Sequence, residues 1–319
     1  MILVAVMAAH LASSPMKLDR IPFPVEQAFE RKTSIGEETF AAEVDATLRR
    51  LTERVETGGG CPSAAETRSA AQLDLVRRAV DRQAWAEGKN AAAAALARRS
   101  TLRASYLTGA PGGRAYGQVS RMAAKAKAEP NPRLADLYRR MAEDQFARID
   151  SISLRPFLGP GVHTVWEAWL DEPALAYVHA VLEAEGCAND LANTAWLKAD
   201  LRANGWYRIS VYGPEADRAA WSMVQHAQQD LAFREEVLAM LEPLWAEGET
   251  KGENFAALYD DTAAARGRPT RFGLVGACTA PGVWKPNVEN LAAAEAWRAK
   301  AGMKPLAEEI ATRSRACAN

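Results

Sequence analysis

Alanine-rich segments constrain the fold of this chain more than any other feature of its sequence. Five alanines follow one another from Ala91 to Ala95, other long stretches combine arginine, glutamate and leucine, and β-branched runs are few. These residue types have high intrinsic helix propensities. The sequence therefore predicts an all-α, mainly helical fold. Short strands are expected at most near residues 207–212 and 270–275, where β-branched and aromatic side chains cluster.

Composition is that of an ordinary globular protein. The chain has 319 residues, of which 48% are hydrophobic and 25% charged, enough to bury one large core or two smaller ones. Lysine and arginine number 39 against 40 aspartates and glutamates, for a net charge of -1. Because the broad basic surface used for nucleic-acid binding is missing, no nucleic-acid partner is predicted.

The first residues, MILVAVMAAHLASS, read as a secretory signal. An apolar run at residues 2–9 is followed by small residues at 12–14, which is typical of the hydrophobic region and cleavage zone of a signal peptide. The sequence therefore predicts a signal peptide at 1–14 and a periplasmic or secreted protein. The alternative is a cytoplasmic protein in which this segment is buried. A membrane span is not predicted, since a bilayer requires roughly 20 apolar residues.

Four cysteines, Cys61, Cys187, Cys278 and Cys317, are widely separated in the sequence. No CxxC pair or histidine-containing metal spacing is present, so no zinc site is predicted. In an exported protein the even number permits two disulfides, and Cys278 with Cys317 is the simplest pair. The alternative is four free thiols.

Two regions follow the predicted signal peptide. Residues 15–125 form an alanine- and arginine-rich helical region, with helices expected at 38–55 and, as one or two helices, at 63–100. Residues 124–132 (AKAKAEPNP) read as a linker or an exposed helix end. Residues 134–311 are then expected to form one compact helical domain.

A helix that Pro132 opens carries polar residues on its apolar face. The apolar face consists of Leu134, Leu137, Tyr138 and Met141. Continuing the helical spacing of three and four residues leads next to Gln145 and Arg148. Burial of an amide and a guanidinium costs free energy unless both are paired. These residues are therefore expected to form a pocket or a paired network; the alternative is a solvated rim.

Two further helices repeat this pattern. In the helix predicted at 188–204, Asp190 and Asn193 share a face with Leu197 and Leu201, and Gly205 ends the helix. In the helix predicted at 216–230, His226 and Asp230 are four residues apart and can meet. A carboxylate that orients an imidazole is the minimum general-base arrangement, and the same pair could supply two metal ligands. The alternative is an ordinary surface pair.

Ordered motifs in the second half resemble a bacterial domain family of unknown function, family 6624. The motifs are MAEDQxxR at 141–148, DxxNTxxLK at 190–198, GW at 205–206, VYG at 211–213, AAWSMVQHAQQD at 219–230, LYDD at 258–261, GRPTRFG at 267–273 and RAKAGMKPL at 298–306. The resemblance covers about residues 134–311 and implies a compact helical domain whose polar residues converge on one site.

By position, the resemblance assigns the site to Gln145, Arg148, Asn193, Gln225, His226, Asp230 and Asp260. It implies no activity, because none is assigned to the family. The chain departs from the family pattern at Asp261, Thr270, Phe272 and Val275, where the family has Arg, Gln, Tyr and a GTQ-like ending. These departures bring any transferred activity into question.

Two classes of function follow from these residues. No GxSxG elbow, HExxH, Walker loop or dinucleotide fingerprint is present at a suitable junction, and no cofactor is predicted. The first hypothesis is a hydrolase or transferase with His226 as general acid or base, Asp230 or Asp260 orienting it, and Arg148 binding an anionic group of a small-molecule or peptide ligand. The second is a noncatalytic binding or structural module of the cell envelope. In both, Arg148 is expected to be largely buried against Asp190, Asp230, Asp260 or Asp261.

Overall fold

The computed structural model of the protein describes residues 24–56, 60–111, 116–149 and 170–317. Within these residues the chain forms thirteen α-helices and one pair of short antiparallel strands. The predicted all-α class is confirmed. The predicted signal peptide at 1–14 lies outside the described residues. Of the helices described, none combines the length and apolar character required to cross a membrane.

The helices are numbered here in chain order. They are α1 (Val25–Ile35), α2 (Glu37–Glu56), α3 (Ala64–Arg78), α4 (Arg82–Leu107), α5 (Gly117–Ala128), α6 (Pro132–Ile149), α7 (Glu172–Asn204), α8 (Ile209–Tyr212), α9 (Pro214–His226), α10 (Leu231–Ala246), α11 (Gly252–Ala265), α12 (Leu291–Lys300) and α13 (Leu306–Ala316). The strands are β1 (Gly276–Ala280) and β2 (Val283–Pro286).

Capping residues set several of the helix ends where the sequence predicts them. Pro132 is the first residue of α6, and the preceding Asn131 accepts the Arg133 N–H through its side chain at 3.0 Å. Helix α7 ends at Asn204, because Gly205 adopts a φ of 71° that a helix does not allow. At its other end α7 is longer than predicted and begins at Glu172.

The chain divides into two compact units. Unit 1 takes the described residues within 1–105, 113–116 and 146–188, and unit 2 takes those within 106–112, 117–145 and 189–319. This division differs from the predicted boundary near 125–134, because 146–188 group with the N-terminal helices. Most polar residues singled out from the sequence belong to unit 2, whereas Arg148 belongs to unit 1.

Unit 1 has two apolar clusters that share helix α3. On one side, Leu73 and Val76 pack with residues of α1 and α2 that include Phe40. On the other, Leu75 packs with residues of α4 and α7 that include Val178. Because α3 contributes to both clusters, it is the principal buried helix of this unit.

Aromatic rings form much of the core of unit 2. The Trp245 and Phe255 rings stack with centroids 5.2 Å apart, and Phe272 meets both edge-on, at 6.4 and 6.1 Å. Offset-stacked and edge-to-face pairs are the favoured aromatic geometries. The cluster joins α10 and α11 to the turn that carries Phe272.

The strands lie next to the second predicted region rather than within it, where Thr270 forms an isolated β-bridge with Val288. Residues 209–212 form the helical turn α8, and β1 begins only at Gly276. Residues 271, 272 and 274 cannot join a strand ladder, since their N–H groups are bound by the Asp260 carboxylate. The strands instead flank Pro281 and Gly282, a turn pair in which Gly282 has a φ of 72°.

Each unit contains one disulfide. Cys61 bonds to Cys187 in unit 1, and Cys278 bonds to Cys317 in unit 2. The predicted Cys278–Cys317 pair is confirmed, and the alternative of four free thiols is not what the structure shows. The second bond ties the β-hairpin to the end of α13.

Candidate functional site

A histidine and two aspartates from three helices meet in unit 2. Asp144 lies on α6, Asp190 on α7, and His226 is the last residue of α9. Helix α6 directs Asp144 inward because Met141 and Leu137, at spacings of three and seven residues, are buried on the same face. The polar group therefore continues an apolar stripe, as the sequence predicts for this helix.

The contact between His226 and Asp144 is the central feature of the site. The imidazole Nδ1 lies 3.0 Å from Asp144 Oδ1. The Asp144 side chain is 1% exposed, whereas that of His226 keeps 22% of its surface exposed. Gln145 Nε2 donates to the other carboxylate oxygen at 3.0 Å. Both oxygens of a buried carboxylate are thus engaged, and its imidazole partner reaches solvent.

Asp190 completes a group that could hold a metal ion. One ligand atom each from Asp144, Asp190 and His226 lie within 4.8 Å of one another. Imidazole and carboxylate ligands together suit zinc, iron and manganese. The prediction of no zinc site rests on cysteine spacing, whereas these ligands are one histidine and two aspartates from three helices.

Asn193 lies three residues after Asp190 and is buried on the same helix. Its side-chain oxygen Oδ1 accepts a hydrogen bond from Arg140 Nη1 at 3.3 Å. The Arg140 guanidinium lies 4.7 Å from the Trp196 ring centre. No described residue accepts a hydrogen bond from the Asn193 amide nitrogen or from buried Gln225 Nε2. Both amides therefore have a donor to offer to a ligand or to water.

Asp230 does not contact the imidazole in the described structure. Helix α9 ends at His226, four residues earlier than predicted, and Asp230 caps the next helix by accepting the Phe233 N–H at 2.9 Å. Its second oxygen accepts Lys198 Nζ at 2.8 Å. Burial raises the pKa of this carboxyl, but Lys198 and the Phe233 N–H outweigh that effect and leave the pKa lowered.

Asp260 fixes the backbone of the GRPTRFG turn. Its fully buried carboxylate accepts the N–H groups of Arg271 at 2.9 Å, Phe272 at 3.0 Å and Leu274 at 2.8 Å. Burial raises the pKa of this carboxyl, and the three hydrogen bonds only partly offset the rise. The hydrogen bond to His226 that the sequence assigned to Asp230 or Asp260 is made by Asp144.

Asp261, where the chain departs from the family pattern, lies close to the buried guanidinium of Arg234. This guanidinium is buried, and its Nη2 lies 3.8 Å from the Asp261 carboxylate. Burial lowers the pKa of Arg234, and the Asp261 charge partly offsets that shift. An arginine at 261, as the resembling family has, would place two cations side by side.

Arg148 lies one turn after Asp144 on α6 and is half-buried, which is less than predicted. Its expected contact with a carboxylate stays a prediction. Asp144 is the principal site residue that sequence reasoning missed. The sequence does contain a signal for Asp144, since it follows the apolar residue Met141 by three residues. The helical spacing of four leads instead from Met141 to Gln145.

The fold and these contacts define a mainly helical, disulfide-bonded protein with a buried carboxylate bound to a partly exposed histidine. Residues 164–317 match the model of a family of unknown function, DUF6624. The match confirms the resemblance, although MAEDQxxR at 141–148 precedes the matched residues. No curated protein and no solved structure matches the chain.

Proposed function

We propose that the protein is an enzyme, a hydrolase or transferase, in which His226 acts as general acid or base. The observation that carries this proposal is the 3.0 Å contact between its Nδ1 and the buried Asp144 carboxylate. A buried carboxylate that binds one ring nitrogen of a solvent-reaching histidine is the arrangement by which enzymes orient a catalytic imidazole.

The contact determines which nitrogen faces a substrate. A carboxylate accepts hydrogen bonds only, so Nδ1 carries the proton that it shares with Asp144. The lone pair of the neutral ring is then on Nε2, for which no described residue provides a hydrogen-bond partner. When Nε2 takes up a proton, the imidazolium is stabilised by the adjacent carboxylate. His226 can therefore accept a proton from an attacking group and return it to a leaving group.

Two neighbouring features support a ligand site here. Asp190 adds a second carboxylate that could bind a cation with Asp144 and His226. The unpaired amide nitrogens of Asn193 and Gln225 offer donors in the same unit.

A noncatalytic module of the cell envelope is the second candidate. Side chains from different segments of unit 2 bind one another through Arg140 and Asn193, Lys198 and Asp230, and Gln229 and Thr194. Polar networks of this kind can fix helix register without any chemistry. The His226 contact with Asp144 would then be one more member of the network.

Replacing His226 by alanine separates the two candidates. Purified protein would be screened against ester, amide, glycoside and phosphate ester substrates, with and without divalent metal ions. We expect a turnover that falls by about 100- to 10,000-fold in His226→Ala, the range for loss of a general acid or base. Asp144→Asn should also reduce turnover, because an amide cannot stabilise the imidazolium.

Asp230→Asn is the matched control. It changes the carboxylate that the sequence favoured as the group orienting His226. In the structure that carboxylate instead caps a helix and binds Lys198. Turnover should change by less than about threefold, with a stability loss of less than about 1 kcal/mol, because asparagine still caps the helix and only the part-exposed ion pair with Lys198 is lost. Equal turnover of wild type and His226→Ala would contradict the proposal and favour the noncatalytic module.

We also propose that the protein is exported to the periplasm or beyond. All four cysteines are paired, and disulfides persist mainly in oxidising compartments. Intact-mass measurement on the native protein should place its first residue near 13–18. Thiol titration of unfolded, unreduced protein should detect no free cysteine. Retention of Met1 in soluble cytoplasmic protein would contradict export.

A further inference from the structure

A concave site lies in unit 2, built from residues that the proposed chemistry does not use. Its volume is about 460 Å³, which is within the range of small-molecule pockets. The walls come from α10, α11, α12 and the GRPTRFG turn. The lining includes Leu238, Tyr259, Arg268, Arg271, Glu289 and Trp297.

Aromatic rings hold the guanidinium of Arg271 in place at this cleft. Its central carbon lies 4.0 Å from the Tyr259 ring centre and 4.8 Å from that of Trp297. Arginine stacks favourably on aromatic faces, and two such contacts restrict the plane of the guanidinium. Its Nη1 donates to Glu242 Oε1 at 3.1 Å. The remaining N–H groups form a second edge, for which no described side chain provides a partner.

The backbone that carries Arg271 is fixed from two directions. The Asp260 carboxylate accepts the N–H groups of residues 271, 272 and 274. From the opposite direction, the buried Arg298 donates through Nη1 to the Phe272 carbonyl at 2.9 Å. A side chain on a rigid backbone binds without the entropic cost of ordering a loop. Arg271 is therefore preorganised as a binding group.

Charge and apolar surface in the cleft suit different parts of one ligand. Arg268 and Arg271 contribute two guanidiniums, against the single carboxylate of Glu289. Arg268 uses Nη2 for Glu235 at 2.8 Å and keeps its other donors. Leu238, Pro269, Ala293 and Ala294 form the apolar part of the lining. Guanidinium forks bind carboxylates and phosphates in a bidentate manner, whereas this apolar wall suits a carbon skeleton.

We propose that this cleft binds a small organic oxyanion, with its carboxylate or phosphate group on Arg271 and Arg268 and its carbon skeleton on the apolar wall. The site is independent of His226, so it stands whether or not the proposed acid–base chemistry is correct. It also assigns a role to the GRPTRFG motif, whose turn positions both arginines.

Calorimetric titration of the full-length, disulfide-bonded protein tests this site. Phenyl phosphate and benzoate serve as organic oxyanions, inorganic phosphate as the bare anion and phenol as the uncharged ring. We expect saturable binding of one equivalent of an organic oxyanion, at least tenfold tighter than inorganic phosphate, and no binding of phenol. The comparison of phenyl phosphate with benzoate identifies the preferred head group.

Three variants and one control locate the binding. Arg271→Met and Arg268→Met should each weaken it at least tenfold, since each removes charge-assisted hydrogen bonds to the oxyanion. Glu289→Gln should strengthen it a few-fold by removing the one carboxylate in the lining of the cleft. Arg202→Met removes an arginine that pairs with Glu236 at the surface and should leave affinity unchanged.

The outcomes that would overturn the proposal are equally specific. They are no binding of either organic oxyanion, equal affinity for inorganic phosphate, or undiminished binding by Arg268→Met. Arg268 is exposed and outside the core, so this variant stays informative even if Arg271→Met fails to fold.

Discussion

Replacing Asp217 by alanine should lower the free energy of unfolding by about 3–5 kcal/mol, the largest effect expected from one side chain in unit 2. The carboxylate is fully buried in the first turn of α9. It accepts from Trp206 Nε1 at 2.8 Å, Thr250 Oγ1 at 2.5 Å, Asn254 Nδ2 at 3.0 Å and Lys251 N at 3.3 Å. Alanine would leave four donors without their acceptor.

Urea denaturation monitored by circular dichroism would measure the effect. Glu215→Ala is the matched control, because Glu215 is an acidic residue of the same first turn but is exposed and pairs with Lys125 at the surface. Its loss should cost less than about 1 kcal/mol. Equal losses in the two variants would show that the four contacts of Asp217 contribute nothing specific to stability.

Asp260→Ala should lower the free energy of unfolding by about 3 kcal/mol or more, since three backbone N–H groups lose their acceptor in a buried position. Asp260→Asn keeps one side-chain oxygen and should lose less. Because the turn carries Arg271, both variants should also weaken oxyanion binding at the cleft. Urea denaturation and calorimetric titration measure the two effects separately.

The control for Asp260 is Glu253→Ala, which removes an exposed acidic residue from the first turn of the same helix α11. A loss of less than about 1 kcal/mol is expected there. If Asp260→Ala were as stable as Glu253→Ala, the turn would be held by its own backbone, and the stabilising role assigned to the carboxylate would be wrong.

Local signals in the sequence were sufficient for the helices and insufficient for the strands. Pro132 and Gly205 mark helix ends because their own backbone preferences decide the conformation. Residues 207–212 have strand-like composition, but residues 209–212 form a helical turn. The Glu249 carboxylate binds this turn by accepting the N–H and the hydroxyl of Ser210 at 3.0 and 2.7 Å. Ser210 and Glu249 are 39 residues apart in the sequence, so local residue patterns cannot predict this contact.

The candidate site was predicted in part for the same reason. Helical spacing and the family resemblance both identified His226 and Asn193, and both fall among the polar residues of unit 2. The partner of His226 depends on how α6 and α9 pack, which spacing within one helix cannot determine. Proximity in sequence therefore favoured Asp230, whereas Asp144, 82 residues away from His226, makes the contact.

The two disulfides also determine how the chain would respond to force. Cys61 and Cys187 are 126 residues apart, and Cys278 and Cys317 are 39 apart. A stretching force applied to both ends of the chain would be transmitted through the disulfide bonds and not through the residues that they enclose. At about 3.3–3.6 Å per extended residue, about 420–450 Å and about 130–140 Å of chain would stay slack. While the two disulfides are intact, the residues that they enclose cannot be extended by force. Only reduction of both bonds makes the full length of the chain extensible.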